Sequence, residues 1–220
     1  MKHILFNTIE GRLLLSGSFL SLLLVAFIGF FGITEIEIAK TLALVFVAHT
    51  FGGRAAGIGL CILNGYGAIP TIFYNFYIEV LIVCFTYAGF VLSTTNYLRI
   101  EWFKKLMDKL AGTAIEKKEK IEPFGWIGIF FFVMAPLPVT GPVVGSIIGY
   151  MLRLSIFRNL SATFLGTLSA IIIWFYCFDF LEQRFHMIQY LFAAIVIIVL
   201  IPHMKKIKNF FVNPADKNKK

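Results

Sequence analysis

Arg54 carries the most informative chemistry in this sequence, because it is a lone cation in the word Gly52-Gly53-Arg54-Ala55-Ala56-Gly57, inside a long apolar stretch. A guanidinium in such surroundings must be paired, hydrated or stretched toward water. Either it ties down backbone carbonyls, or it clamps a phosphate or carboxylate, for which its planar fork is suited. Glu79 lies one helical turn beyond Asn75, so the two share a helix face. Its carboxyl has two accessible states, ionised against Arg54 or protonated where loss of water disfavours the charge, and switching between them would couple a proton to transport. The plain alternative is a boundary carboxylate reaching headgroup water. A second cluster is Pro136-Leu137-Pro138-Val139-Thr140-Gly141-Pro142. Its turn amides and the Thr140 hydroxyl could receive an anion or a polar substrate, or could simply form a turn. The candidate substrate-binding set is Arg54, Asn75, Glu79, Pro136, Pro138, Thr140, Gly141 and Asn159. His49 and Asp179 read as local hydrogen-bond partners.

No HExxH, nucleophile elbow, Walker loop or GxGxxG occurs, so neither an enzyme nor a self-powered pump is expected. No cofactor and no metal is expected. Cys61, Cys84 and Cys177 lie in apolar segments without metal-like spacing and read as small core residues.

The elements that must hold these residues belong to a membrane protein. Of 220 residues, 59% are apolar and 15% charged, with a mean hydropathy of +0.84. A soluble domain is roughly 45–50% apolar and about 25% charged. The net charge of +8 comes from short basic stretches flanking apolar runs, which read as topology signals and contacts to anionic lipid. Nucleic acid is not an expected partner. Membrane lipids, an unidentified small-molecule or lipid substrate and protons are, and a homo-oligomer is compatible with the chain.

Apolar stretches fall at about 13–33, 41–63, 70–95, 125–152, 160–180 and 187–202. The run 13–33 is too long for a secretory signal core and reads as a retained first helix. The stretches 41–63 and 125–152 are broken by glycine around Arg54 and by Pro136, Pro138 and Pro142, so each reads as two short helices joined at a turn. If both of these are re-entrant and the other four cross, seventeen of the twenty basic residues face the cytoplasm. Lys40 and Arg184 then lie outside, with Arg54 in the membrane. Both termini are cytoplasmic on this arrangement. If the broken stretches crossed instead, the asymmetry would vanish.

The chain also matches itself at an offset of 84 residues: Gly57 with Gly141, Gly65 with Gly149, Tyr66 with Tyr150, Ile72 with Ile156, Phe73 with Phe157 and Asn75 with Asn159. On the topology above the copies enter from opposite faces, an inverted repeat of the kind that secondary transporters use. Arg54 and Glu79 then correspond to Pro138 and Thr163, so the charged site is not duplicated. The expected architecture is an all-α membrane domain over 1–204. Repeat one is about 41–96, repeat two about 125–180, and an amphipathic cytoplasmic linker about 97–124 carries Phe103, Leu106, Met107 and Leu110 at helical spacing. A basic cytoplasmic tail follows over 205–220.

From His49 to Trp174, with GGRAAGIGL at the first turn and APLPVTGPVVGS at the second, the chain resembles the small multi-drug export protein family, a branch of the wider DedA/VTT group of re-entrant-loop membrane proteins. The resemblance implies a multi-pass prokaryotic plasma-membrane protein that transports a substrate. Wider DedA relatives are implicated in moving polyprenyl-phosphate lipids, using acidic and arginine residues at the re-entrant turns. Arg54 is similar to the arginine of the first turn. Gly52 and Gly53 stand where relatives often carry an acidic residue, for which Glu79 is the candidate substitute, and the second turn has no arginine. The expected function is transport, either proton-coupled export or lipid flipping, with a non-transporting membrane scaffold as the alternative. A sealed interface with Arg54 saturated by carbonyls would favour the scaffold. An apolar, aromatic-lined cavity with an acidic residue facing it would favour a drug exporter, and a groove open to the bilayer a flippase.

Overall fold

The computed structural model describes residues 8–94, 101–135 and 141–184, with the backbone alone described at 101–104, 106, 107 and 182–184. The tail 205–220 and the apolar stretch 187–202 lie outside these residues. The described residues form helices and no strand: α1 (Ile9–Thr34), α2 (Ile36–Gly52), α3 (Arg54–Leu63), α4 (Ala68–Thr94), α5 (Glu101–Ile121), a 3-10 turn (Glu122–Phe124), α6 (Gly125–Met134), α7 (Gly141–Met151) and α8 (Ile156–Arg184). The chain divides into Met1–Tyr176 and Cys177–Lys220. Of the second unit, the described part is the end of α8.

Among the described residues three helices are long and apolar enough to cross a membrane: Ile9–Thr34, Ala68–Thr94 and Ile156–Leu181. Helix α1 starts at Thr8, whose hydroxyl accepts from the Gly11 amide at 3.0 Å, the usual way a threonine satisfies an orphan donor at a helix start. It leaves Phe19, Leu22, Val25 and Phe30 exposed, as a helix solvated by hydrocarbon does. Helix α4 is the opposite case. It packs against α1, α2, α3, α5 and α7, and two-thirds of its apolar window is buried.

Two helical hairpins surround it. Gly57 follows His49 by eight residues, which an unbroken helix would separate by about 12 Å. Instead a Cβ on Gly57 would stand 2.8 Å from the His49 Cβ. The reversal is made at Gly53, with φ at 81°, a region that costs a residue with a Cβ. In the second hairpin Val133 and Gly141 are the matching pair, and a Cβ on Gly141 would lie 3.6 Å from the Val133 carbonyl oxygen. The two close approaches lie 84 residues apart in the chain. The 84-residue register slips at the turns that follow, where positive φ falls on Gly65 in the first copy and on Arg153 in the second, one helical turn later than the register places it.

Two expectations change. Helix α2 begins at Ile36, ahead of the apolar run, so Lys40 is helical rather than in a loop; its ammonium donates to Glu37 at 2.7 Å, one turn back. Cys61 and Cys84 are buried, but Cys177 is exposed, because it shares the outer face of α8 with Ile173 and Phe180. The amphipathic α5 turns its apolar side inward. Ala114 and Ile121 join the core with Ile129 and Val133 of α6 and Val144 and Ile147 of α7, and Leu110 packs against them. Phe103, Leu106 and Met107 lie where only the backbone is described.

Candidate functional site

A buried polar cluster forms where α2, α3 and α4 meet. Asn75 and Glu79, one turn apart on α4, face His49 of α2 and Arg54 of α3, and all four are buried. The Asn75 amide nitrogen donates to the Thr71 carbonyl at 2.8 Å and approaches the Cys61 sulfur at 3.6 Å. That fixes its oxygen toward the His49 ring, where Nδ1 stands 2.7 Å away. Since the oxygen is an acceptor, His49 Nδ1 carries the hydrogen. Nε2 then faces Glu79 Oε1 at 3.3 Å, out of line for a hydrogen bond in this geometry. In the neutral ring Nε2 is a lone pair, so a lone pair would face a carboxylate with nothing between them.

The same Glu79 oxygen lies 3.9 Å from Arg54 Nε. Arg54 extends past it to the second hairpin, where Nη1 donates to the Val133 carbonyl at 3.1 Å. Its other terminal nitrogen, Nη2, has no hydrogen-bond partner among the described residues, and a Cβ on Gly141, the first residue of α7, would sit 3.1 Å from it. Arg54 thus reaches from beside Glu79 of α4 to the second hairpin, bonded to α6 and close to the start of α7. Gly57 makes the cluster possible, because a side chain there would overlap the His49 ring and the Asn75 oxygen.

Asn159 heads a different arrangement. Its amide donates to the Ser146 carbonyl at 2.7 Å, and its side chain packs on Gly149 rather than on Gly141, the counterpart of Gly57. A turn that arrives four residues late displaces both strands of an antiparallel pair, which moves the contact by two helical turns. Asn159 is therefore carried away from Arg54. Pro136, Pro138 and Thr140 lie outside the described residues, and Gly141 marks their C-terminal edge. Among the described residues no group of three or more His, Cys, Asp or Glu could hold a metal ion.

Beside the cluster lies a cavity of about 680 Å³ between α1, α2 and α4. Phe27, Phe31, Tyr66, Phe73, Tyr74 and Tyr77 line it, with Leu42, Val45 and Cys61 at its inner wall. Among the described residues no charged side chain lines it, so the acidic residue expected to face an exporter's cavity is not found there. The Tyr74 hydroxyl donates to the Leu42 carbonyl at 2.8 Å and that of Tyr77 to the Leu20 carbonyl at 2.6 Å, so both rings are held by their polar ends. Cys61 belongs both to this wall and, through Asn75, to the buried cluster.

His49 is the residue that sequence reasoning set aside. It looks local because its partners, Asn75 and Glu79, are far along the chain, and only the folding back of α2 on α3 brings it under α4. The family model described as "Putative small multi-drug export protein" matches residues 54–173, and the chain belongs to that family. The match begins at Arg54 and leaves His49 outside it. No curated protein and no solved structure matched the chain.

Proposed function

We propose that this member of the small multi-drug export family is a proton-coupled exporter of lipophilic molecules in the plasma membrane. Its two hairpins enter the bilayer from opposite faces and both termini are cytoplasmic. The observation that carries the reading is the His49–Glu79–Arg54 cluster, which has a place for one proton and whose arginine holds the second hairpin. Adding a proton changes the charge beside Arg54, and with it the balance that fixes Arg54 on the Val133 carbonyl. A bond between two hairpins that depends on protonation is the element a coupled transporter needs. The apolar, aromatic cavity, one residue away at Cys61, suits a flat lipophilic cargo whose positive charge rests on ring faces.

Reconstituted vesicles given ethidium and a pH gradient test this. Wild type should move the dye, while Arg54→Ala and Glu79→Gln should lose transport about tenfold or more, the scale of a lost charge-assisted contact. Wild-type rates in both variants would remove the cluster from the mechanism.

Arg54 Nη2, without a hydrogen-bond partner among the described residues and close to the start of α7, favours a second reading, in which a lipid phosphate sits there with its chain toward the bilayer, as the resemblance to DedA proteins implies. Vesicles carrying a fluorescent polyprenyl phosphate distinguish the two, because an exporter leaves that lipid where it was.

A further inference from the structure

Helix α8 carries Asn159, Thr163 and Thr167 at intervals of four residues, so they form one stripe that rises about 12 Å along the helix. All three are fully buried. Among the described residues Thr163 Oγ1 and Thr167 Oγ1 have no hydrogen-bond partner, and Asn159 Oδ1 has none by strict geometry, while the Tyr87 side chain of α4 lies within hydrogen-bonding reach of Asn159. The other buried side-chain atoms in this condition among the described residues are His49 Nε2 and Arg54 Nη2, the two ends of the proposed proton site.

The stripe runs from the charged start of α8 toward that site. At its Asn159 end stand the exposed Arg153 and Arg158, at the turn between α7 and α8. At its other end Gly166, next to Thr167, packs on α6, where a Cβ would meet the Phe130 carbonyl oxygen at 2.7 Å and the Val133 Cβ at 3.1 Å. Val133 is the residue whose carbonyl Arg54 holds. Buried hydroxyls without protein partners are normally satisfied by water.

We infer that Asn159, Thr163 and Thr167 line a water-filled track from the α7–α8 turn to Arg54, through which protons reach the Glu79–His49 pair. The ligand is water, and the track rests on the transport reading for its purpose but not for its existence. Single cysteines test it without any transport assay. In a Cys61→Ala, Cys84→Ala, Cys177→Ser background, Thr163→Cys and Thr167→Cys in vesicles should react with a charged, membrane-impermeant methanethiosulfonate about tenfold faster than Ile171→Cys or Leu165→Cys, as sites that exchange with water do. Ile171 is just as buried in an apolar setting, and Leu165 is 48% exposed on the outside of the helix, so burial and lipid exposure are both controlled. Rates at 163 and 167 no faster than at 171 would overturn the track. If the cysteine variants fail to fold, Thr163→Val decides. A hydroxyl held by water leaves the valine variant no more stable than wild type, whereas a higher melting temperature, the gain from deleting an unsatisfied group, would overturn the inference. Water access with no ethidium transport would leave the track standing and remove the exporter.

Discussion

Glu79 Oε1 faces an imidazole nitrogen at 3.3 Å and a guanidinium nitrogen at 3.9 Å, and its surroundings make the consequences of substitution separable. Arg54→Met leaves the carboxylate in the core without its permanent cation, a change that typically costs about 3–5 kcal/mol. Arg54→Met with Glu79→Gln removes both charges, so the double variant should be more stable than Arg54→Met alone; thermal unfolding in detergent measures the difference. Gly57→Ala puts a methyl group against the His49 ring and the Asn75 oxygen and should destabilise by about 1–3 kcal/mol, as overpacking does. Arg54 and Glu79 were legible at this scale because a charge in an apolar stretch stands out. His49 was not, since its importance comes from a contact between helices and not from its neighbours in the chain.

The hairpins were legible as elements because glycine and proline interrupt runs that are otherwise long enough to cross. Their bounds were less so: the Glu37–Lys40 pair at 2.7 Å extends α2 past the edge of the apolar run. The self-match pairs Gly57 with Gly141, and each lies at a close approach within its hairpin, but turn positions depend on local φ, and one turn of slip separates Asn159 from the chemistry around Asn75. Gly53, at φ 81°, carries the first reversal, and Gly53→Ala should lower stability by about 1–3 kcal/mol, the cost of a Cβ in that region. Helix α5 looked like a surface helix because its charges dominate its sequence. The fully buried Ala114 shows its other side, and Ala114→Leu should cost about 1–3 kcal/mol by wedging α5 from the second hairpin.

For the whole molecule, composition alone indicated the bilayer, and the three long apolar helices agree with it. Orientation is a charge argument, and a protease site inserted within 97–100 should be cut from the cytoplasmic side only. The cavity was invisible in the sequence, because its six aromatic rings come from α1, α4 and the turn before α4 and meet only after packing. The central claim is that one proton on the Glu79–His49 pair is exchanged for cargo. Proton movement driven by an ethidium gradient, followed with a pH-sensitive dye in sealed vesicles at zero initial pH difference, tests it most directly. Wild type should move protons against the ethidium flow, and Glu79→Gln should move none above empty vesicles. Ethidium flux without proton movement in wild type, or equal proton movement in Glu79→Gln, would contradict the account.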